Sequence, residues 1–266
     1  MRIVRCSVVL TLAMVVASVA AFAEEWKKDY TVGASPALSV ETNDATISVR
    51  PGSGNTISAR VIADNYSIGP DGVRVTEQQT GDSVRLQVKL PRNHIVFGFS
   101  SHKGVQIEVS VPPATKVALT TSDGSLHVSG LRGPTNLVTS DGSIHAEDMD
   151  GTLIARTSDG SITASGRFDN LELLTSDGHV RCDARQGSRV NGGWNLRTSD
   201  GSIELRVPGD LAADLEAWTS DGHVTVNMPM TVEGAQSRNR VRGKLNGGGG
   251  LLKLHTSDGS ITVNNL

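Results

Sequence analysis

Thr139-Ser140-Asp141-Gly142-Ser143-Ile144-His145-Ala146 reads as a tight polar turn running into a strand, and the chain returns to it repeatedly. Thr-Ser-Asp-Gly begins at Thr121, Thr139, Thr157, Thr175, Thr198, Thr219 and Thr256. The first three steps are 18 residues each, and the later ones are 23, 21 and 37. A short period of this kind is the signature of a repeat architecture.

Four residues before each Thr stand Val117, Thr135, Leu153, Leu171, Trp194, Leu215 and Leu252. Two before it stand Leu119, Leu137, Ala155, Leu173, Leu196, Ala217 and Leu254. Five after it come Leu126, Ile144, Ile162, Val180, Ile203, Val224 and Ile261, and seven after it Val128, Ala146, Ala164, Cys182, Leu205, Val226 and Val263. Apolar columns two residues apart are strand periodicity, with alternate side chains inward. The column between the last two is polar: His127, His145, Thr163, Arg181, Glu204, Thr225 and Thr262. Each repeat is therefore expected to be strand, turn, strand. In that reading Gly supplies unusual backbone angles, and Asp bonds amides two residues on. The structural turn residues are Asp123 and Gly124, Asp141 and Gly142, Asp159 and Gly160, Asp177 and Gly178, Asp200 and Gly201, Asp221 and Gly222, and Asp258 and Gly259.

A hairpin meander and a β-solenoid both fit this local pattern. The solenoid is expected, because stacking places equivalent residues above one another at about 4.8 Å. A meander would need a second layer over its apolar face, and no helical pattern supplies one. The fold class is thus all-β, a parallel β-helix-like solenoid with short coils of about 18 residues and irregular N-terminal coils. A worn copy of the motif, Thr42-Asn43-Asp44-Ala45-Thr46-Ile47, matches all four columns and carries the scheme back towards the N-terminus.

Three segments are expected: a signal peptide over 1–23, irregular coils over 24–113, and the regular array over 114–266 of one continuous domain. The first has Arg2 and Arg5, an apolar run from Val8 to Val19, and the small-residue site Ala21-Phe22-Ala23. Removing it takes the formal charge from −3 to −5, which argues against a nucleic-acid partner. No transmembrane segment is expected after signal cleavage. Cys182 would remain without a disulfide partner and sits on an inward column, as a small apolar residue would. Pro91 to Lys103, with His94, Phe97, Phe99 and His102, reads as a loop covering part of the core. Met228 to Leu251 carries Arg238, Arg240, Arg242 and Lys244 ahead of a glycine run, and reads as a solvated hairpin excursion.

The repeated Ser-Asp-Gly-Ser-Ile turns, Val111-Pro112-Pro113 ahead of them, and Leu245-Asn246-Gly247-Gly248-Gly249 before the last copy resemble the bacterial putative-adhesin family. The resemblance spans about residues 35–266. It implies an all-β solenoid of unknown function in an envelope or extracellular setting, and it assigns no catalytic or binding residue.

Chemistry is sparse. Stacked coils would line up the Asp column, where neighbouring charges repel by roughly 1 kcal/mol in water-like surroundings. Local hydrogen bonds, or calcium bridging Asp123, Asp141, Asp159 and Asp177, would offset this. The histidines lack zinc-motif spacing, and no cofactor is expected. Aromatic residues are 3% of the chain, too few for a surface built around ring stacking, with Trp218 the outward exception. The expectation is an exported, non-enzymatic structural or interaction protein, periplasmic or extracellular, meeting an envelope or surface partner that is protein or polysaccharide. A polysaccharide-acting β-helix enzyme and a scaffold module of an envelope stress or assembly system are the alternatives.

Overall fold

The computed structural model describes residues 23–91 and 104–266. All but Ala23 of the segment expected to be a signal peptide, and most of the Pro91–Lys103 loop, lie outside the described residues. The strands are β1 (Ala23–Thr31), β2 (Ala37–Thr42), β3 (Thr46–Pro51), β4 (Thr56–Asp64), β5 (Arg74–Thr80), β6 (Ser83–Lys89) and β7 (Gly104–Val111). Next come β8 (Lys116–Thr120), β9 (Leu126–Ser129), β10 (Thr135–Val138), β11 (Ile144–Arg156), β12 (Ile162–Leu174), β13 (Val180–Ala184) and β14 (Trp194–Arg197). The rest are β15 (Ile203–Val207), β16 (Ala213–Thr219), β17 (Val224–Asn227), β18 (Thr231–Val232), β19 (Arg240–Leu245), β20 (Gly250–Thr256) and β21 (Ile261–Asn265).

Strands before the turns form one parallel ladder and strands after them form another. The register pairs equivalent positions, as the solenoid requires: Leu153 lies beside Leu171, and Ile144 beside Ile162. The four apolar columns fill the space between the ladders and are buried throughout, except Val224 and Val226 on the edge strand β17. Each such aliphatic side chain contributes roughly 1.5–3 kcal/mol by leaving water.

The levels are not stacked in chain order. β20 pairs with β14 on one side and β16 on the other, and β21 lies between β15 and β17. The Thr256 coil is therefore inserted between the Thr198 and Thr219 coils. The other end does the same: β2 lies between β6 and β8, and β3 between β7 and β9. Beyond these levels the chain turns antiparallel. β4 covers β7 and β1 covers β4, while β5 covers β6. At the far end β19 lies antiparallel on β16, with Val241 and Leu245 buried. The basic excursion is a hairpin, β18 against β19, exposed over residues 231–238 as expected, and β19 anchors it as an edge cover. Covering a parallel edge in this way removes a template for intermolecular pairing.

The turns correct two expectations about the motif. None of the seven turn glycines has a positive φ. They are needed for close approach: a Cβ on Gly142 would drive into the carbonyl oxygen of Gly124, and one on Gly160 into that of Gly142. The relation repeats up the stack and follows its true order, with Gly222 resting on Gly259 and Gly259 on Gly201. The turn amides are also bonded between coils, since Ser158 and Asp159 both donate to Ser140 O, at 2.9 and 3.0 Å.

The motif threonines are buried and join one coil to the next. Thr157 Oγ1 lies 3.0 Å from both Ser140 O and Gly142 O of the neighbouring coil, and it accepts from Gly160 N–H at 3.3 Å. The same three contacts recur at Thr139, Thr175, Thr198, Thr219 and Thr256. Thr157→Val keeps the shape and strips the Gly160 N–H of its acceptor. The expected loss is about 1–3 kcal/mol, read as a lower urea midpoint with an unchanged slope.

Candidate functional site

Three surfaces present chemistry: the turn edge and the outer faces of the two ladders. Along the turn edge the Asp side chains of the motif are exposed, and among the described residues none accepts a hydrogen bond. The expected Asx-type bonds to amides two residues on are not formed; the motif's Ser and Asp amides donate to the coil next door, and its Gly amide donates to the Thr hydroxyl. Spatial order along the edge is Asp123, Asp141, Asp159, Asp177, Asp200, Asp258, Asp221, as the turn bonds show. Among the described residues no three His, Cys, Asp or Glu side chains converge as metal ligands.

Unscreened neighbours on this edge should oppose stacking. Asp159→Asn is expected to stabilise the fold by up to about 1 kcal/mol at low salt, and by less in high salt. Calcium separates the two readings of the row. Bridging would let the unmodified protein gain a comparable melting shift from calcium and lose it in chelator.

On the outer face of the second ladder, His127 and His145 stack with ring centroids 5.1 Å apart and planes 3° from parallel. Ser48, Arg50, Ser129 and Glu147 surround them. Burial holds the His127 imidazole below its usual range, and the neighbouring His145 pushes the same way. A depressed histidine means the unfolded chain binds the proton first. Its contribution is full above about pH 6.5, the unfolded value, and is lost as pH falls from there through the depressed folded value. His127→Gln should therefore flatten the fall in melting temperature between neutral and mildly acid pH.

His179 and His223 occupy turns. His179 Nδ1 accepts from Ser202 N–H at 3.0 Å, and His223 Nδ1 lies 3.0 Å from Ser260 Oγ. His94 and His102 lie outside the described residues. Cys182 is fully buried, which pushes its thiol well above the usual range. Among the described residues no helix is long and apolar enough to cross a membrane.

The first ladder's outer face holds Trp218, and beside it two residues that the sequence reading did not single out, Lys253 and His255. Sequence order would place Arg197 next to Trp218. The inserted coil puts His255 there instead, so only the level order could have revealed the cluster.

The sequence matches the Toastrack DUF4097 family over residues 36–183 and again over 114–264. The chain belongs to the Toastrack DUF4097 family. Its two overlapping matches share residues 114–183, as a family pattern laid twice along a repeat array would. No curated protein matches this Toastrack chain. Among solved structures, it is similar to a putative cell adhesion protein from Clostridium sporogenes, at 11% identity and TM-score 0.45, covering 92% of this chain and 100% of that one. A putative adhesin from Bacteroides fragilis follows at 12% identity and TM-score 0.41, covering 91% and 97%. A putative lipid binding protein from Parabacteroides distasonis gives 12% and 0.38, covering 90% and 96%.

Proposed function

We propose that this protein is an exported, non-enzymatic adhesin-like solenoid that holds a repetitive polar surface against an envelope or surface partner, protein or polysaccharide. The carrying observation is the in-register stack. It sets the motif's Ser and Asp residues along one exposed edge, and alternating hydroxyls and ion pairs along two outer faces. Arg181 pairs with Glu204, and Arg156 with Glu172. Such surfaces suit many weak, repeated contacts rather than one reacting centre. The concavities found on them are shallow. Those around Arg60 and around Val190 hold about 410 Å³ each, and their walls are ion-paired or backbone-lined rather than built as a nucleophile with its base.

Export is supported by the basic start, apolar run and small-residue site within residues 1–23. In this reading residues 24–113 and 114–266 act as one continuous array. Fractionating cells that express the full chain, and identifying what co-purifies from each fraction, tests the proposal. Recovery in periplasm or medium with envelope material is expected. A cytoplasmic protein with an intact N-terminus would refute it, and hydrolysis of a co-purified polymer would favour the enzyme instead.

A further inference from the structure

We propose that the outer face at the β16–β20 end is a binding platform for acidic polysaccharide, with Trp218 and His255 as the ring-stacking surface. This rests on the surface-partner reading above and names its ligand class. Trp218 and His255 come from neighbouring parallel strands, with ring centroids 4.5 Å apart and planes at 22°. His255 Nδ1 lies 3.3 Å from Trp218 O, which fixes the imidazole against the indole. Lys253 Nζ stands 5.1 Å from the indole centroid. The indole is partly exposed, with His255 stacked on it and the Lys253 ammonium over its ring, so a sugar laid C–H side down would take the place of the flexible lysine arm.

The charge around the stack is what selects an acidic sugar. The strand register runs Arg197, His255, Trp218, Arg240 across the face. The nearby carboxylates are already taken: Glu216 pairs with Arg242, Glu172 with Arg156, and Glu233 with Lys244. Among the described residues Arg197, Arg240 and Lys253 have no carboxylate partner. Burial lowers the His255 pKa, the Trp218 carbonyl opposes this, and the charges of Arg197 and Lys253 lower it further. The chain as a whole is acidic, at −3, which makes this patch an exception and works against a nucleic-acid polymer.

The platform opens onto a trough of about 500 Å³ that shares Lys253. Gly192 and Gly193 leave its wall without side chains, Ile154 and Leu251 give it apolar surface, Asn170 and Asn195 give it amides, and its one carboxylate, Glu172, is paired with Arg156. A linear chain of uronic acids would lay one ring on the indole, set its carboxylate toward Lys253, leave Arg197 and Arg240 on either side for the carboxylates of neighbouring rings, and run on along the trough.

Calorimetry of the full chain with polygalacturonate and alginate oligomers, and with neutral cello-oligosaccharide, tests this. The acidic oligomers should bind, more weakly as salt rises, and the neutral one should bind more weakly than either. Trp218→Ala should weaken acidic binding roughly tenfold, and Trp218→Phe should restore much of it. The double variant Arg197→Gln and Lys253→Gln should weaken binding and flatten its salt dependence, which keeps the test decisive if Trp218→Ala fails to fold. Failure of both acidic oligomers to bind would overturn the proposal. So would unchanged affinity in these variants, or salt-sensitive binding to anionic phospholipid vesicles in place of the oligomers. Capture of envelope material that persists unchanged in the variants would leave the surface-partner reading standing while sinking this platform.

Discussion

Gly160→Ala should destabilise the protein by more than about 3 kcal/mol, a large part of a typical domain's stability, and leave little folded material at physiological temperature. The added methyl meets a backbone carbonyl, that of Gly142, which is itself held by the Thr157 hydroxyl. Neither partner is the end of a flexible side chain, so relief requires the coils to part. Gly69→Ala, at a position with open space and no positive φ, should change the urea midpoint by less than about 0.5 kcal/mol-equivalent. The chain contains its own control. Ala45 stands at a turn position where the other copies have Gly. The chain on its outer side does not repeat the motif there, and Leu90 N–H donates instead to Asn43 Oδ1 at 2.9 Å. Equal melting temperatures for the unmodified protein and Gly160→Ala would show that close approach is not what fixes glycine in the motif.

Ending the chain after Gly249 should unravel more than the coil it deletes. It removes β20 and β21, which are interior strands despite coming last. Among the described residues, the Thr219 coil and the cover strand β19 would lose the strand pairing that joins them to the rest of the stack. Hydrogen exchange should show residues 213–245 stripped of protection, while β8 to β13 keep theirs. Retained protection over 213–245 would mean that the Thr219 coil can drop into the vacated level and pair directly with β14 and β15.

The coil itself was legible because strand periodicity and a constant turn are local properties. The four apolar columns named the core, from Val117 to Val263, apart from the half-buried Val224 and Val226 of the edge strand, and their spacing identified the inward face. What the motif residues do was not legible, because it depends on the neighbouring coil. Gly142 looks like a conformational glycine until Gly124 O is seen beneath it. Thr157 looks like a generic strand residue until its hydroxyl is found between two carbonyls. A signal was available: a polar residue held constant among apolar columns, as Thr is here, points to a buried hydroxyl with fixed partners. The level order left no such trace. The Thr198, Thr219 and Thr256 copies are so alike that any of them satisfies the pairing pattern. That is why the Trp218–His255 contact could not be read from the sequence.

The interleaved ends limit how such a protein can change in length. A duplicated repeat added after Asn265 would arrive in the interior, where both neighbouring positions are already occupied. Growth is possible among the repeats from Thr121 to Thr198, where coils adjacent in sequence are adjacent in the stack. Both termini of the array behave like tucked-in ends of a wound cord: loosening one means displacing the coil laid over it. Members with longer or shorter rods should therefore differ in the middle and keep their two closures intact.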